Sequence, residues 1–279
     1  MKQLIVLLAC PDRPGIVARV TSELLAAGGN VLTLEQHVEQ RRLFFMRLRV
    51  DLEDPGDARR RLEAVAGDLD GRIAFADPAR RACIGVLVTR EPACAIELLS
   101  RQRSGRLDCE IGLLVGNEPD LAWLGETFAV PFHHVPHDEA GEARMLELLD
   151  GVDVVLLARY MKVLSAGFVE RFAGRAINIH HSFLPSFPGA RPYHRAWARG
   201  VKVIGATAHY VTAELDEGPI IAQGVSPVTH KHSVEMMVEA GRDVERQVLV
   251  DALQAHLEHR VIVHEGRTIV FHPDEAARS

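Results

Sequence analysis

The first 80 residues combine short apolar runs with helical spacing. Residues 3–9 form an apolar run that predicts a buried strand, and the prolines at 11–15 prevent that strand from continuing. From Ile16, apolar residues recur at helical spacing until Gly28-Gly29 ends the helix. The remaining predicted elements are strands at 30–38 and 43–52, a helix at 58–66 and a strand beginning at 72. This order predicts a ferredoxin-like α+β domain over residues 1–80.

The pattern changes after residues 77–81, a predicted linker. Fully apolar runs now alternate with helical patterns, which is typical of a parallel sheet covered on both faces. The predicted strands are 84–88, 111–115, 152–158 and 176–179, and the predicted helices are 93–99, 121–128 and 142–149. We therefore predict a second, α/β domain over residues 81–279, with ligands bound beyond the carboxyl ends of its strands.

Composition narrows the class of protein without identifying it. The chain has 279 residues and a net charge of −6, which argues against a nucleic-acid partner. Its N-terminal apolar run is much shorter than the roughly 20 residues of a membrane span, so no membrane association is expected. No CxxC pair occurs among the four cysteines, which favours free thiols in a reducing cytoplasm.

Candidate catalytic residues follow the strand at 176–179. Asn178 and His180 are two apart, so on a strand both side chains project on the same side. An amide N–H can stabilise a developing oxyanion, and an imidazole can move a proton near neutral pH. The alternative interpretation is a strand end capped by polar side chains.

A second candidate lies in the loop 214–219, between strand-like runs at 204–211 and 220–223. Asp216 occupies the tip of this loop, where a carboxylate near a histidine could orient the imidazole and hold a water. The alternative interpretation is a hairpin with solvated carboxylates.

Together these motifs resemble a known enzyme family. The patterns N-I-H-x-S-x-L-P-x-F-x-G, G-A-T-A-H-Y-V and L-D-E-G-P-I-I resemble those of transferases and hydrolases that use 10-formyltetrahydrofolate. The resemblance implies a Rossmann-like formyltransferase domain, a catalytic triad of Asn178, His180 and Asp216, a folate substrate and no permanently bound cofactor. The substrate-binding residues it implies are Tyr160, Met161, Lys162, Val163, Leu164, Gly189 and Gly218.

Two branches of that family differ in the acceptor of the formyl group. Transferases acting on glycinamide ribonucleotide have a glycine-rich phosphate loop after the first strand, but residues 88–94 here read VTREPAC. The phrases HH, GARPYHRAW and LLARYMKVLS instead resemble the formyltetrahydrofolate deformylases. That resemblance implies hydrolysis to formate and tetrahydrofolate, which supplies formate for purine synthesis and balances the one-carbon folate pools. The alternatives are transfer to an amine such as glycinamide ribonucleotide, and binding without turnover.

The N-terminal phrase CPDRPGIVARVTSELLAAGGNV resembles the ACT domains, small regulatory modules that often bind amino acids. This implies an amino-acid effector held at Asp12, Arg13 and Gly15 by the amides of a helix N-terminus. The alternative is a simple strand-to-helix connector. Because exposed sheet edges favour pairing, we also predict a homo-oligomer, either a dimer or a tetramer.

Other histidines have competing interpretations. His133, His134 and His137 lie in a predicted polar loop, and no cysteine or HExxH pattern supports a metal there, so we predict no metal site. His181 is either a second imidazole near the reacting water or a support for His180 from outside the site, and we favour the latter.

Overall fold

The computed structural model describes residues 2–40, 42–185 and 192–273. These residues divide into two compact units. The first unit contains the chain up to Arg80 together with the residues from Glu258 onward, and the second contains the chain between them. The sequence analysis assigns the last segment to the second domain, whereas the structure groups it with the first.

The first unit is built on a four-stranded antiparallel sheet in the order β2-β3-β1-β4. Its elements are β1 (Lys2–Pro11), α1 (Ile16–Ala26), β2 (Asn30–Val38), β3 (Leu43–Leu52), α2 (Pro55–Asp68) and β4 (Arg72–Ala76). Alternate residues of β1 and β3 meet the apolar stripes of both helices in one buried core, which includes Leu8, Val20, Leu48 and Leu62. The predicted ferredoxin-like arrangement is confirmed.

The second unit alternates strands and helices from residue 82. Its elements are β5 (Ala82–Val88), α3 (Ala93–Arg103), β6 (Cys109–Gly116), α4 (Ala122–Phe128), β7 (Phe132–His134), α5 (Glu139–Leu148), β8 (Val154–Leu157), α6 (Ala166–Arg171), β9 (Ala176–His180), α7 (Pro192–Ala198), β10 (Val203–Tyr210), β11 (Ile220–Pro227) and α8 (Val234–Leu257). A short 3₁₀ helix at Pro119–Leu121 precedes α4.

The strands of this unit form one seven-stranded sheet in the order β11-β10-β9-β8-β5-β6-β7. The five strands from β9 to β7 are parallel, and β10 runs antiparallel to both of its neighbours, β9 and β11, which confirms the predicted mostly parallel sheet. After β5 the chain crosses to β6 on one side, and it later returns to β8 on the other. Ligands bind at such a switch point, beyond the carboxyl ends of the strands, so β5, β8 and β9 position the candidate site.

Several elements were not predicted from the sequence. They are β7, α6, α7, α8 and a C-terminal hairpin formed by β12 (Val261–His264) and β13 (Arg267–Val270). Residues 132–134, which were expected in a polar loop, pair with β6 as an edge strand. The 24-residue α8 buries an apolar stripe that includes Val248, Leu249 and Leu253. Among the described residues, no helix is long and apolar enough to cross a membrane.

Candidate active site

The candidate site lies where β9 and β10 run side by side. Asn178 and His180 lie two residues apart on β9, with His180 as the last residue of the strand rather than just beyond it. In the antiparallel pairing, His209 of β10 lies directly opposite Asn178, and Thr207 lies opposite His180. Directly opposed residues share one face of a sheet, so the strand pair brings an amide and two imidazoles together.

The chain leaving β9 is held by Thr207, which is fully buried. Its hydroxyl accepts a hydrogen bond from the Leu184 amide at 3.1 Å and donates one to the Ser182 carbonyl at 3.1 Å. Because the hydroxyl satisfies both backbone groups, the exit loop is fixed immediately after His180.

The loop between β10 and β11 carries Asp216 to the same place. Asp216 adopts a left-handed backbone conformation with φ of 59°, which aspartate tolerates better than most residues. Two residues later, a Cβ on Gly218 would lie 1.7 Å from the Tyr210 carbonyl oxygen, so no larger residue fits there. Gly218, predicted to bind substrate, therefore packs behind the loop and is not among the residues lining the cavity.

Asp216 and His180 form a hydrogen-bonded pair. The Nδ1 of His180 lies 3.2 Å from Oδ2 of Asp216. An ionised carboxylate only accepts hydrogen bonds, so Nδ1 carries the proton and Nε2 keeps its lone pair. Nε2 is buried and has no hydrogen-bond partner within the described part of the chain. The imidazole is thus held in the tautomer that a general base needs.

His209 is a site residue that the sequence analysis did not single out, although its strand motif was quoted. Its Nδ1 lies 2.9 Å from the Tyr210 carbonyl oxygen and therefore donates to it. Nε2 of the neutral ring then accepts from the Asn178 Nδ2 at 3.3 Å, and it also lies 3.7 Å from Oδ1 of Asp216. A histidine within the apolar strand run at 204–211 is the sequence signal that could have identified it.

The surroundings of the site favour the charged form of Asp216 and the neutral form of His181. The hydrogen bond from His180, together with the nearby imidazole of His209, holds the pKa of Asp216 well below its usual range, against the opposing effect of burial. Burial, with smaller effects of Arg159 and His180, lowers the pKa of His181 to about 3. The His181 ring lies 5.2 Å from the His180 ring, and both residues line one cavity. His181 is thus a neutral neighbour of the pair.

The cavity in front of these residues has a volume of about 400 Å³. Five of the predicted substrate-binding residues line it, namely Tyr160, Met161, Lys162, Val163 and Leu164. This segment follows β8 and is anchored where the Met161 amide donates to Oγ1 of Thr89, at the end of β5, at 3.0 Å. Met161, Val163 and Leu215 have exposed fractions of 55%, 66% and 68%, so the cavity offers apolar surface to a ligand.

The remaining predicted residues lie elsewhere. Gly189 is outside the described residues. Asp12, Arg13 and Gly15 belong to the first unit, where Gly15 caps α1 with φ of 90° and Arg13 donates to the Asp68 carbonyl at 3.0 Å. Of the three histidines considered for a metal, His137 lies 3.5 Å from the Tyr160 hydroxyl.

This arrangement can activate a nucleophile. A fixed imidazole with a free lone pair lies two residues from an amide that has a second N–H to donate. His180 is buried and Asn178 is half-buried beside an apolar cavity, where an oxyanion is stabilised more strongly than in water. The geometry suits attack of water or an amine on a carbonyl carbon held at the cavity edge.

Comparison with known proteins shows what the chain is similar to. The formyl transferase family model matches residues 82–253, and the ACT domain model matches residues 4–67. A formyltetrahydrofolate deformylase of Synechocystis sp. is 42% identical over 278 residues, which cover 95% of this chain and 97% of that protein. The crystal structure of a formyltetrahydrofolate deformylase from Pseudomonas syringae is 42% identical, with a TM-score of 0.93 over 98% of this chain and 95% of the other.

The similarity to a transferase covers a smaller share of this chain. Glycinamide ribonucleotide transformylase 1 from Symbiobacterium toebii is 29% identical, with a TM-score of 0.66. The match covers 97% of that protein but 71% of this chain. The two deformylases, in contrast, match along nearly the whole chain.

Proposed function

The chain belongs to the formyltetrahydrofolate deformylases, and from that membership we propose a mechanism in which Asn178, His180 and Asp216 hydrolyse 10-formyltetrahydrofolate to formate and tetrahydrofolate. One observation supports this assignment of roles above the others. The His180 imidazole is fixed by Asp216, its Nε2 is buried without a hydrogen-bond partner among the described residues, and His180 lines the same cavity as Asn178.

The folate binds in the cavity lined by residues 160–164 and Leu215. Its flat pterin ring packs against the apolar side chains of Met161 and Val163, which removes their exposed surface from water. This places the formyl group at the carboxyl end of β9, beside Asn178 and His180.

Water attacks the formyl carbon while His180 Nε2 takes its proton. The imidazolium that forms is stabilised by Asp216, which the two histidines keep ionised. One N–H of Asn178 is occupied by His209, so the other donates to the formyl oxygen as it becomes an oxyanion. His180 then returns its proton to the folate nitrogen as the C–N bond breaks, and formate and tetrahydrofolate leave.

The first unit supports a regulatory proposal. The amides at the N-terminus of α1 have no side-chain cap, so they could receive the carboxylate of a free amino acid beside Asp12, Arg13 and Gly15. The edge strands β2 and β4 suit pairing of two copies into a dimer or tetramer. All four cysteines are free thiols, in keeping with a cytoplasmic enzyme.

The test of the catalytic proposal is a product assay with 10-formyltetrahydrofolate alone and with added glycinamide ribonucleotide. We expect formate and tetrahydrofolate in equal amounts without any amine. Tetrahydrofolate that forms only after glycinamide ribonucleotide is added would contradict hydrolysis and support the transferase alternative. The regulatory proposal is tested by adding single amino acids to the full-length protein and following turnover and mass; an unchanged rate and mass with all of them would refute it.

A further inference from the structure

Three buried polar residues form a cluster next to the reaction cavity. We call Arg159, Tyr193 and Glu245 the buried polar cluster. Glu245 of α8 is only 2% exposed. Its Oε1 accepts a hydrogen bond from the Tyr193 hydroxyl at 2.8 Å, and its Oε2 lies 3.5 Å from Nε of Arg159. Glu245 therefore joins the arginine and the tyrosine.

The cluster adjoins the catalytic imidazole. Arg159 lines the same cavity as Asn178 and His180. The Tyr193 ring lies 6.4 Å from the His181 ring, which in turn lies 5.2 Å from the His180 ring. Tyr193 is thus one ring removed from the group that activates the nucleophile.

The cluster also reaches the loop that follows β5. Glu91 in that loop forms an ion pair of 2.8 Å with Arg242 of α8. The Cys94 thiol at the start of α3 is buried, and Glu245 and Arg159 are the charged groups that act on it most strongly. The cluster is therefore close to the start of α3 on one side and, through His181, to His180 on the other.

The arrangement of the buried polar cluster is locally unfavourable in three ways. Burial raises the pKa of Glu245, because removal from water disfavours its charged form. Arg159 adopts a left-handed backbone conformation with φ of 64°, and its Nε and Nη1 lack hydrogen-bond partners within the described part of the chain. A Cβ on Gly241 would lie 2.0 Å from the Tyr193 hydroxyl, so α8 needs a glycine to make room for the ring.

We propose that the buried polar cluster determines acceptor specificity, because it occupies the volume that an amine would need to reach the formyl carbon and leaves room for water. This inference rests on the proposed hydrolysis. In hydrolysis the water oxygen bonds to the formyl carbon, the bond to the folate nitrogen breaks and a proton passes to that nitrogen. Transfer to an amine differs only in the attacking atom and yields an N-formyl amine. Whether hydrolysis or transfer occurs therefore depends on whether an amine can reach the formyl carbon.

The experiment opens this volume without leaving a buried charge. In the double variant Arg159→Gly/Glu245→Gln, glycine suits the left-handed backbone and the neutral amide still pairs with Tyr193. The matched control Arg159→Met/Glu245→Gln has the same charge but keeps the volume. Each protein is given 10-formyltetrahydrofolate with either hydroxylamine or the larger amine glycinamide, and the formylated amine and formate are both measured.

We expect the ratio of formylated glycinamide to formate to be at least about tenfold higher in the opened variant than in the matched control, a common effect of one small change in pocket size. With hydroxylamine, which is smaller, the ratio of formylated amine to formate should differ less between the two double variants. An equal glycinamide ratio in the two double variants would overturn the proposal. If the opened variant does not fold, Tyr193→Ala and Tyr193→Phe are compared instead. The ratio of formylated glycinamide to formate should then be higher in Tyr193→Ala, and an equal ratio would overturn the proposal. Absence of formate with the unaltered enzyme would instead refute the proposed hydrolysis.

Discussion

Nδ1 of His180 lies 3.2 Å from Oδ2 of Asp216, while the opposite ring nitrogen is buried and unpaired within the described part of the chain. The carboxylate determines which nitrogen carries the proton, and therefore which nitrogen can accept one. A substitution that removes the charge of Asp216 therefore changes the tautomer of His180, even when the imidazole and the side chain at position 216 stay where they are.

Replacement of Asp216 by Asn should lower kcat at least about a hundredfold, the lower range for acid–base groups. The amide can donate to Nδ1 of His180, which forces the proton onto Nε2 and removes the base. His180→Ala should lower kcat by a similar factor. The kcat of the double variant should be little lower than that of the less active single variant, because the two groups act as one unit. Steady-state formate release is the measurement. Asp150→Asn, at an exposed carboxylate in the same unit, is the control. Full activity of either single variant would remove that residue from the mechanism.

Asn178→Ala should lower kcat by about 10²–10³-fold, because it removes a donor to the oxyanion. The Michaelis constant should change little, since this contact strengthens only in the transition state. Initial rates over a range of folate concentrations separate the two constants. A raised Michaelis constant with unchanged kcat would show that Asn178 binds the substrate instead.

His181 should make the fold sensitive to acid. Its pKa falls from 6.5 in the unfolded chain to about 3 in the folded protein, so below pH 6.5 the unfolded state binds the extra proton. Stability is therefore lost as the pH falls from 6.5 towards 3, at up to about 1.4 kcal/mol per pH unit. In His181→Gln this loss should disappear, and denaturant unfolding at pH 6.5 and 5 should show a difference of up to about 2 kcal/mol in the pH response.

The exposed His230 provides the control for this measurement, as His230→Gln. Equal pH responses of His181→Gln and the unaltered protein would show that the ring is not held neutral by burial.

Gly218→Ala should disrupt the loop that carries Asp216. The added methyl group would meet the Tyr210 carbonyl at 1.7 Å, so the backbone must move. We expect a loss of about 1–3 kcal/mol in unfolding free energy, typical of overpacking. Turnover should fall on the order of a hundredfold, because small displacements of catalytic groups are costly. Thermal unfolding and formate release are the measurements.

Gly167→Ala in α6 is the matched control, since its nearest neighbouring atom would lie 3.7 Å away. It should leave turnover unchanged and stabilise the helix by up to about 1 kcal/mol. Similar behaviour of the two variants would mean that the Gly218 position does not constrain the Asp216 loop.

The sequence predicted the parts of the fold that local pattern determines. The strands 43–52 and 30–38 agree with β3 and β2 because apolar β-branched and aromatic residues lie between clear turns. The three-residue β7 was missed because its strand character comes from pairing with β6 and not from its own pattern. The C-terminal hairpin was not predicted, and its residues were included in the second domain, whereas the structure groups them with the first unit, because nothing in the local pattern indicates which core such a strand will cover.

Within the candidate site, the spacing of Asn178 and His180 predicted a shared face, and the structure has both on β9. The position of His209 opposite Asn178 depends on strand register, which one strand alone does not determine. The buried polar cluster joins Arg159 to Glu245 across 86 positions of the chain (245 − 159), so no local motif could reveal it.

The C-terminal segment has a consequence for how the protein is made. Arg47 of β3 donates to the carbonyls of Glu258 and His259, at 3.1 Å each, so the first unit is completed by residues near the end of the chain. The second unit is one continuous segment. During synthesis, the second unit can finish folding while the first still lacks its contacts with Glu258 and His259, so the first unit is completed after the second although it begins earlier in the chain.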